Sequence, residues 1–287
     1  MIVNKASNSG RALKEIQSHW AQILEKLVEV TLFEVEPQDS IEKVVALKSE
    51  HFDVIVACGG DGTARKVAIG LKDSEALFGV LPIGTGNDFA KMLGLTSSFS
   101  ENLDTLASLK TKKLDLIQFN DSYFINTLGL GFDGRTNLYA SKLTFLKGTA
   151  KYVVAGLQSL ITSKSFTSTI QINDETYSFN TVMTLIANGK WEGGRYFISP
   201  ESVLNDGFFE IIIINDISKF RLAIEFIRLS FGHSLSDEIQ STFKANKVTI
   251  RTSKPVLVHA DGEVESQETK FEIGVEAKQL KVICKNL

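Results

Sequence analysis

The chain has 287 residues, of which 43% are hydrophobic and 23% charged, so it is long enough for one large or two ordinary globular domains. A net charge of −3 at pH 7 gives no overall attraction to nucleic acid, and no such partner is expected. The two cysteines do not suggest a disulfide framework, and the sequence has neither a signal-peptide pattern at its start nor a membrane-spanning apolar run. We therefore expect a cytoplasmic protein, soluble or peripheral at the inner face of the membrane.

Strands and helices alternate in the first part of the chain. Apolar runs predict strands at "MIVN", "VEVTLFEV", "FDVIVAC" and "LFGVLPIG". Apolar residues at three- and four-residue spacing predict a helix over 13–27, and Asp39 is the expected N-cap of a helix that runs to Ser49. This order is typical of a parallel sheet with helices on both faces. We predict a doubly wound α/β domain over residues 1–118, with ligands at the carboxyl ends of its strands.

The character of the sequence changes after about residue 118. Runs such as "STIQIND", "TVMTLIAN", "GFFEIIIIND", "KVTIRT" and "LKVICK" are separated by short polar turns, which predicts an antiparallel β-sandwich over residues 119–287. We leave open whether the last residues of the chain pack with the first domain. Helices are expected near 143–162 and 220–231. The apolar segment 137–162 contains several lysines. This pattern predicts either an interfacial helix or a core helix with a solvated basic edge.

Two turns after buried strands combine glycines with an aspartate. In "GGDGT", Asp61 is either the cap of the next helix or a carboxylate that binds a cation beside phosphate-binding amides. In "PIGTGNDF", Thr85 and Asp88 allow the same two interpretations. A third small, polar turn, "NKASNSG", follows the first strand. Because the carboxyl ends of parallel strands share one sheet edge, the three turns together predict a phosphate or nucleotide site.

Two further acidic turns lie in the second half. "HADGEVE" is either a hairpin, which Asp-Gly favours, or a pair of carboxylates, Asp261 and Glu263, that accepts a proton from a substrate hydroxyl. Asp206 in "LNDGFFE" is either a plain turn residue or a ligand of a cation. The four histidines show no metal-ligand spacing, so each is expected to be a surface or core residue.

These motifs resemble those of the diacylglycerol-kinase catalytic-domain family, and in particular of its bacterial soluble lipid kinases. The resemblance rests on "GGDGT", "PIGTGNDFAK", "FINTLGLGFDG", "ANGKWEGG", "ISPESVLNDGFFE" and "DGE", which follow one another over nearly the whole chain. It implies an α/β nucleotide-binding domain followed by a β-sandwich lipid domain. The implied activity is the transfer of the γ-phosphate of ATP, with Mg²⁺, to a lipid hydroxyl, most simply that of diacylglycerol or a related lipid alcohol.

The resemblance also implies roles for individual residues. The implied nucleotide contacts are Asn4, Lys5, Ala6, Ser7, Asn8, Gly59, Gly60, Asp61, Gly62, Thr63, Ala64, Arg65, Lys66, Gly84, Thr85 and Asn87. The implied Mg²⁺ ligands are Asp61, Asp88 and Asp115, with a structural Mg²⁺ at Asp206 and the carbonyls of Val203 and Phe208. The implied catalytic residues are Glu263, the expected general base, and Asp261 beside it.

The chain departs from the family pattern at two positions. Lys5 stands where the family usually has proline, and Lys66 stands where it usually has glutamate. The second change reverses a charge in the nucleotide segment. It keeps open a non-catalytic nucleotide- or lipid-binding protein on the same fold, and a kinase of NAD or another soluble acceptor is a further alternative. The expected partners are a lipid alcohol and a peripheral membrane surface, and a homodimer is left open.

Overall fold

The computed structural model describes residues 1–5, 10–143 and 148–285. These residues divide into two compact units. The first unit contains residues 1–116 and the chain from Ala277 onward, and the second contains Ile117–Glu276. The end of the chain therefore belongs to the same unit as its beginning. The predicted nucleotide-contact residues Ala6, Ser7 and Asn8 lie outside the described residues.

The first unit is a parallel α/β structure. Its elements are β1 Ile2–Asn4, α1 Arg11–Ser18, α2 Trp20–Lys26, β2 Phe33–Val35, α3 Ile41–Lys48, β3 Val54–Gly59, α4 Asp61–Gly70, β4 Leu77–Pro82, α5 Asp88–Met92, α6 Phe99–Ser108 and β5 Thr111–Phe119, the last of which continues into the second unit. The strand order is β2-β1-β3-β4, all parallel, and Val282 pairs in parallel with Phe78 beyond β4. The order reverses between β1 and β3, where ligands bind in folds of this kind.

Both faces of this sheet are buried, which explains the continuous apolar runs of its strands. Val56 and Cys58 of β3 pack in a core cluster with residues of α1, α2 and α6. Ile55 and Ala57 are buried as well, and alternation along a strand directs them to the opposite face. Burial raises the pKa of the Cys58 thiol to about 12, so this cysteine is an inert core residue. The α/β domain predicted from the sequence is confirmed.

Three local predictions need correction. The helix predicted over 13–27 is divided at His19, which ends α1 and precedes α2. The N-cap of α3 is Ser40 rather than Asp39, because the Ser40 hydroxyl accepts a hydrogen bond from the Lys43 N–H at 3.2 Å. Helix α6 was not predicted, although the Ser98 side chain accepts from the Glu101 N–H in the spacing of a capping box.

The second unit is mainly antiparallel. Its elements are β6 Ser122–Phe124, β7 Thr127–Gly131, α7 Phe132–Lys142, α8 Gly148–Thr162, β8 Phe166–Ile172, β9 Glu175–Ala187, β10 Trp191–Glu192, β11 Tyr196–Phe197, β12 Phe209–Asn215, α9 Lys219–Ser230, β13 Gln240–Ala245, β14 Lys247–Ala260 and β15 Glu263–Ile283, whose last residues lie in the first unit. The strand order is β13-β12-β9-β7-β14-β15, and β8 pairs with both β9 and β14.

Strand β12 shows why this unit has a run of four isoleucines. Ile211 and Ile213 pack in one core cluster with residues of β7, β8 and β14. Ile212 and Ile214 pack in another, which contains Phe132 of α7 and residues of α9. Because side chains alternate along a strand, an uninterrupted apolar run buries both faces of the sheet.

The predicted strand "KVTIRT" continues through "PVLVHA" as the single strand β14. The register with β15 shifts between Arg251 and Val256, around Pro255, which lacks an N–H for the ladder. The two strands are joined by Asp261 and Gly262, which have φ values of 48° and 82°. A two-residue hairpin turn of type I′ requires positive φ at both positions. In the described parts of the chain, no helix is both long and apolar enough to cross a bilayer.

Candidate active site

The two glycine turns of the first unit lie side by side. Strand β3 ends at Gly59, which pairs with Pro82, the last residue of β4. Beyond these residues the backbones of Gly60 and Gly84 touch, so that a Cβ at position 84 would collide with the Gly60 Cα. The Asn87 side chain closes the second turn, since its Oδ1 accepts from the Gly84 N–H at 2.9 Å and its Nδ2 donates to the Gly84 carbonyl. A side chain at either glycine would separate the turns.

Asp61 connects the two turns. It is the first residue of α4, which follows the N-cap Gly60. Asp61 Oδ1 accepts a hydrogen bond from the Phe89 N–H of α5 at 3.0 Å. Asp61 is partly exposed, and its bond to Phe89 brings it beside Asp88, the first residue of α5. The carboxylate therefore acts as a helix cap and remains accessible from solvent.

The predicted Mg²⁺ ligands differ in their surroundings. Asp88 is 5% exposed and forms an ion pair of 2.9 Å with Lys91, and Asp115 is almost fully buried on β5. The carboxylates of Asp61, Asp88 and Asp115, all three described, do not form a cluster with ligand atoms within 4.8 Å of one another. Mg²⁺ retains several waters in protein sites, and a cation shared by all three would be bound partly through water.

The basic residues of the predicted nucleotide segment also differ. The Lys5 ammonium pairs with Glu36 at 2.7 Å and Glu34 at 3.7 Å, both of which follow or lie in β2. Arg65 is 3% exposed, so it packs inside the unit, whereas Lys66 is partly exposed. This burial disfavours Arg65 as a direct nucleotide contact and leaves Lys66 the more accessible of the two.

The remaining predicted nucleotide contacts are placed as follows. Thr85 is exposed; Asn4, Gly60, Gly62, Gly84 and Asn87 are partly exposed; Gly59, Thr63 and Ala64 are buried.

A lysine occupies the surroundings of the predicted structural Mg²⁺. Asp206 Oδ1 accepts from the Phe208 N–H at 3.0 Å, and Asp206 Oδ2 pairs with the Lys244 ammonium at 2.7 Å. Lys244 also lies 3.5 Å from Glu210 and 5.6 Å from the centre of the Phe208 ring. Both oxygens of Asp206 thus have partners within the protein, and this donor set fits a lysine ammonium better than a divalent cation. Val203 and Phe208 are exposed, and the Mg²⁺ here stays a prediction.

Asp261 fixes the backbone at the start of β7. Its Oδ1 accepts from the N–H groups of Asn126 and Thr127, and its Oδ2 accepts from the N–H of Ile125, each at 2.9 Å. Asp261 is 5% exposed. A buried carboxylate that holds three amides is a poor acceptor for a substrate proton. The geometry therefore favours a positioning role for Asp261 over the predicted catalytic one.

Glu263 differs from Asp261 in this respect. It is the first residue of β15, pairs with Ala260 across the hairpin, and is partly exposed. The short turn joins Glu263 to Asp261, which is fixed in turn to the 125–127 backbone. Glu263 is therefore the better-placed carboxylate to accept a proton from a substrate.

A buried cluster of His259, Asp133 and Glu192 lies next to this turn. His259 is fully buried, and its Nε2 contacts Asp133 Oδ2 at hydrogen-bond distance and lies 3.5 Å from Glu192 Oε1. Gly129, which pairs with His259 across β7 and β14, leaves room for this contact because a Cβ there would overlap the imidazole. The cluster joins the strand before the Asp261 turn to α7 and β10.

The charges of this cluster determine the state of the histidine. Burial acts to lower the pKa of His259, but the charges of Asp133 and Glu192 and the hydrogen bond to Asp133 outweigh it and raise the pKa to about 9. The Gly262 N–H lies 3.3 Å from Nδ1, an arrangement that requires an unprotonated Nδ1. The contact with the Gly262 N–H is long and uncharged, so it is weaker than the interactions with the two carboxylates. Those interactions keep the ring positively charged at neutral pH.

The same three residues could hold a divalent cation. Each offers one ligand atom, and these atoms lie within 4.8 Å of one another. One imidazole and two carboxylates suit zinc or manganese. A proton on Nε2 and a metal on Nε2 exclude each other, and the raised pKa of His259 favours the proton.

The sequence motifs contained these three residues without revealing that they meet. Asp133 lies in "GFDG", Glu192 in "KWEGG" and His259 in "HADGE", yet His259 was expected only to be a surface or core residue. The burial of His259 agrees with a core residue, but its contacts with Asp133 and Glu192 were not predicted. The pairing of β14 with β7 creates the cluster, and residue spacing carries no signal of that pairing.

Two asparagines complete the polar surroundings of the Asp261 turn. Asn126 Nδ2 donates to the Trp191 carbonyl and Asn188 Nδ2 donates to the Ile125 carbonyl, each at 2.8 Å. Their Oδ1 atoms are buried and accept no hydrogen bond from the described residues. The backbone held by Asp261 is thus also held by two buried amides.

The fold and these turns define a class: a nucleotide-type α/β unit and a β unit that carries a carboxylate on a fixed turn, as expected of a phosphotransferase. The family model "Diacylglycerol kinase catalytic domain" matches residues 1–119, and the model "YegS C-terminal NAD kinase beta sandwich-like domain" matches residues 126–284. The second match covers more than half of the chain.

Relatives agree with these matches. A diacylglycerol kinase of Bacillus subtilis (strain 168) is 31% identical over 269 residues, which cover 89% of this chain and 86% of the relative. A crystal structure of a diacylglycerol kinase from Bacillus anthracis str. Sterne superposes with a TM-score of 0.71 at 21% identity, over 99% of this chain and 95% of the other, and shows the shared fold. The chain therefore belongs to the diacylglycerol kinase family, and it is an enzyme of the lipid kinase class.

Proposed function

We propose that this protein transfers the γ-phosphate of ATP, with Mg²⁺, to the hydroxyl of diacylglycerol or a related lipid alcohol. The observation that carries the proposal is the β14–β15 turn, where three amide hydrogen bonds fix Asp261 and leave Glu263 accessible beside it. The relative from Bacillus subtilis, named a diacylglycerol kinase, supports the choice of acceptor. Among lipid alcohols, diacylglycerol is therefore the first acceptor to test.

The first unit offers suitable groups for a nucleotide. Helix α4 begins directly after Gly60, and the first N–H groups of a helix are available to bind an anion. Because Gly60 and Gly84 carry no side chains, phosphate groups can approach both backbones closely. Asp61 and Asp88, the two carboxylates that the turns bring together, are the proposed Mg²⁺ ligands in this unit. Bound Mg²⁺–ATP supplies an electrophilic phosphoryl group with part of its charge neutralised.

Glu263 is the proposed general base. A lipid hydroxyl must lose its proton as it attacks phosphorus, and a carboxylate within hydrogen-bond reach can accept that proton. Asp261 acts through position, since it fixes the turn from which Glu263 extends. Asp261 is therefore a positioning residue in this proposal, and its three amide bonds leave the proton transfer to Glu263.

The deciding experiment is a turnover assay with Mg²⁺–ATP over a panel of acceptors. The panel contains diacylglycerol, monoacylglycerol, sphingosine and NAD, and product formation is measured for the wild type, Glu263→Gln and the control Glu265→Gln. We expect phosphorylation of a lipid alcohol and a loss of about 10²- to 10⁴-fold in Glu263→Gln, the usual contribution of a general base. Glu265 is an exposed glutamate on the same strand, and its substitution should change turnover by less than about twofold.

Two results would count against the proposal. Phosphorylation of NAD in the absence of lipid would replace the acceptor, and binding of Mg²⁺–ATP in a thermal-shift assay without turnover on any lipid would indicate a binding protein. Full activity of Glu263→Gln would remove this residue from the reaction and leave the acceptor unchanged. A peripheral contact with the inner membrane face is part of the proposal, because the acceptor is a membrane lipid.

A further inference from the structure

Helix α9 is apolar on two faces, and the described residues of the second unit cover only one of them. Leu222 and Leu229 are buried in a core cluster with residues of β9 and β12, and Phe226 packs against the same cluster. The opposite face presents Phe220 with 78% of its surface exposed, Ile224, Ile227, and Phe231 with 79% exposed. These residues recur at helical spacing, so they form a continuous stripe along the helix.

Helix α8 extends this exposed apolar surface. Its described residues Val154, Leu157 and Ile161 are exposed, and Ile161 has 72% of its surface accessible. The two helices are in contact: the Lys219 ammonium, at the start of α9, donates to the Ile161 carbonyl near the end of α8. We call the seven exposed residues the α8–α9 face: Val154, Leu157, Ile161, Phe220, Ile224, Ile227 and Phe231. Large contiguous apolar patches of this kind mark interaction sites.

Basic residues outnumber acidic ones in the sequence of the segments that form the α8–α9 face. The sequence from 134 to 173 contains no aspartate or glutamate and five basic residues, in a chain whose net charge is −3. On α9 itself, Lys219, Arg221 and Arg228 are basic and Glu225 is the acidic residue, and Arg221 pairs with the exposed Glu238 at 2.5 Å. Glu225 is 4% exposed and paired with Arg228 at 3.2 Å, so it adds little negative charge to the surface.

A groove with three lysines borders the face at the junction of the two helices. It has a volume of about 570 Å³, and Lys164, Lys219 and Lys254 line it together with apolar residues such as Leu160 and Leu222. Its carboxylate, Asp216, accepts a hydrogen bond from the Asn180 amide at 2.9 Å. The groove thus combines ammonium groups with serine and apolar side chains, a combination that suits the headgroup of an anionic lipid.

We infer that the α8–α9 face docks onto an anionic lipid bilayer, with Phe220, Phe231 and Ile161 inserted among the acyl chains and the bordering lysines on the headgroups. An apolar face rimmed by basic residues is what an interfacial anchor needs. A second copy fits less well, because a twofold interface would bring the same basic rims together. The inference takes one point from the proposed function, namely that the acceptor is a membrane lipid.

The test is co-sedimentation of the full chain with vesicles in the absence of nucleotide. Vesicles of phosphatidylcholine alone are compared with vesicles containing phosphatidylglycerol, at low and high salt. We expect the protein to bind the vesicles containing phosphatidylglycerol about tenfold or more tightly than those of phosphatidylcholine alone. Binding to the anionic vesicles should weaken at high salt. The double variant Phe220→Ser/Phe231→Ser should bind at least about tenfold more weakly, because it removes the two aromatic rings that insert among the acyl chains. Lys164→Gln should reduce binding to the anionic vesicles by a smaller factor.

The matched control is Val28→Ser/Leu47→Ser, which removes two exposed apolar residues from the first unit and should bind like the wild type. Equal binding of the Phe220/Phe231 variant and the wild type would overturn the inference, as would equal binding to both vesicle types. A concentration-dependent dimer that the Phe220/Phe231 substitutions abolish, without effect on vesicle binding, would assign the face to a second copy. Because no nucleotide is present, these results are independent of whether the protein phosphorylates any lipid.

Discussion

Two Asp-Gly turns, one in each unit, have similar sequences and opposite environments. Asp61 follows β3, accepts a hydrogen bond from the Phe89 N–H and stays partly exposed. Asp261 follows β14, accepts three amide hydrogen bonds and is buried. The first carboxylate retains access for a cation, whereas the second is committed to the protein backbone. An aspartate in a conspicuous motif can therefore act in chemistry or in architecture, and its exposure to solvent distinguishes the two.

The comparison predicts its largest effect on activity at Asp61. Asp61→Asn preserves an oxygen that can accept from Phe89 and removes the negative charge. We expect turnover on the lipid acceptor to fall about a thousandfold or more, equivalent to about 4 kcal/mol of transition-state stabilisation, because the Mg²⁺–phosphate charge loses its partner. The free energy of unfolding in urea should change by less than about 1 kcal/mol.

Asp73→Asn is the control for this experiment, because Asp73 is exposed and its ion pair with Lys72 lies at the surface. Its activity should stay close to that of the wild type. Wild-type turnover in Asp61→Asn would show that the aspartate is a helix cap alone.

At Asp261 the larger effect is expected on stability. Asp261→Ala leaves three N–H groups of residues 125–127 without their acceptor. Each unsatisfied buried donor costs about 1–3 kcal/mol, so we expect a loss of about 3 kcal/mol or more in the free energy of unfolding. Asp261→Asn should cost less, since its remaining oxygen can still accept from Asn126 and Thr127. Urea unfolding followed by circular dichroism measures both, and equal stability of the alanine variant and the wild type would refute the positioning role.

The smallest effect concerns His259 and depends on pH. Its pKa is raised from 6.5 to about 9 in the folded protein, so the protonated ring stabilises the fold. This contribution, about 3 kcal/mol at most, is complete below pH 6.5 and is lost as the pH rises through 9. In urea unfolding at pH 6 and pH 9.5, the wild type should lose more stability than His259→Gln. The same pH dependence in both proteins would show that the cluster binds no proton there, and metal analysis would then test for a cation.

Local patterns in the sequence correctly predicted much of the fold. The alternation of apolar strands and helices gave the α/β domain, and "GGDGT" and "GTGN" marked turns that the structure brings into contact at Gly60 and Gly84. The hairpin expected from Asp261-Gly262 is present as well. Element boundaries were harder to predict: α1 and α2 are separated at His19, and α6 was overlooked despite its capping box.

Roles that depend on distant contacts were less predictable. Arg65 and Asn87 belong to nucleotide motifs, yet the first is buried and the second closes its own turn. The partner of Asp206 is Lys244, on a different strand, where the family resemblance implies Mg²⁺. Lys244 is 38 residues away from Asp206, and the motif around Asp206 does not contain it.

The sequence by itself determined the elements, the turns and the family, because propensity, apolar spacing and glycine chemistry act between neighbours along the chain. Tertiary structure alone decided which carboxylate is exposed, which histidine lies between two acids, and which half of the apolar surface of α9 stays uncovered. These features depend on strand pairing between residues as far apart as Gly129 and His259. Burial and hydrogen-bond partners are set by that pairing, so the same Asp-Gly pair has different roles in the two units.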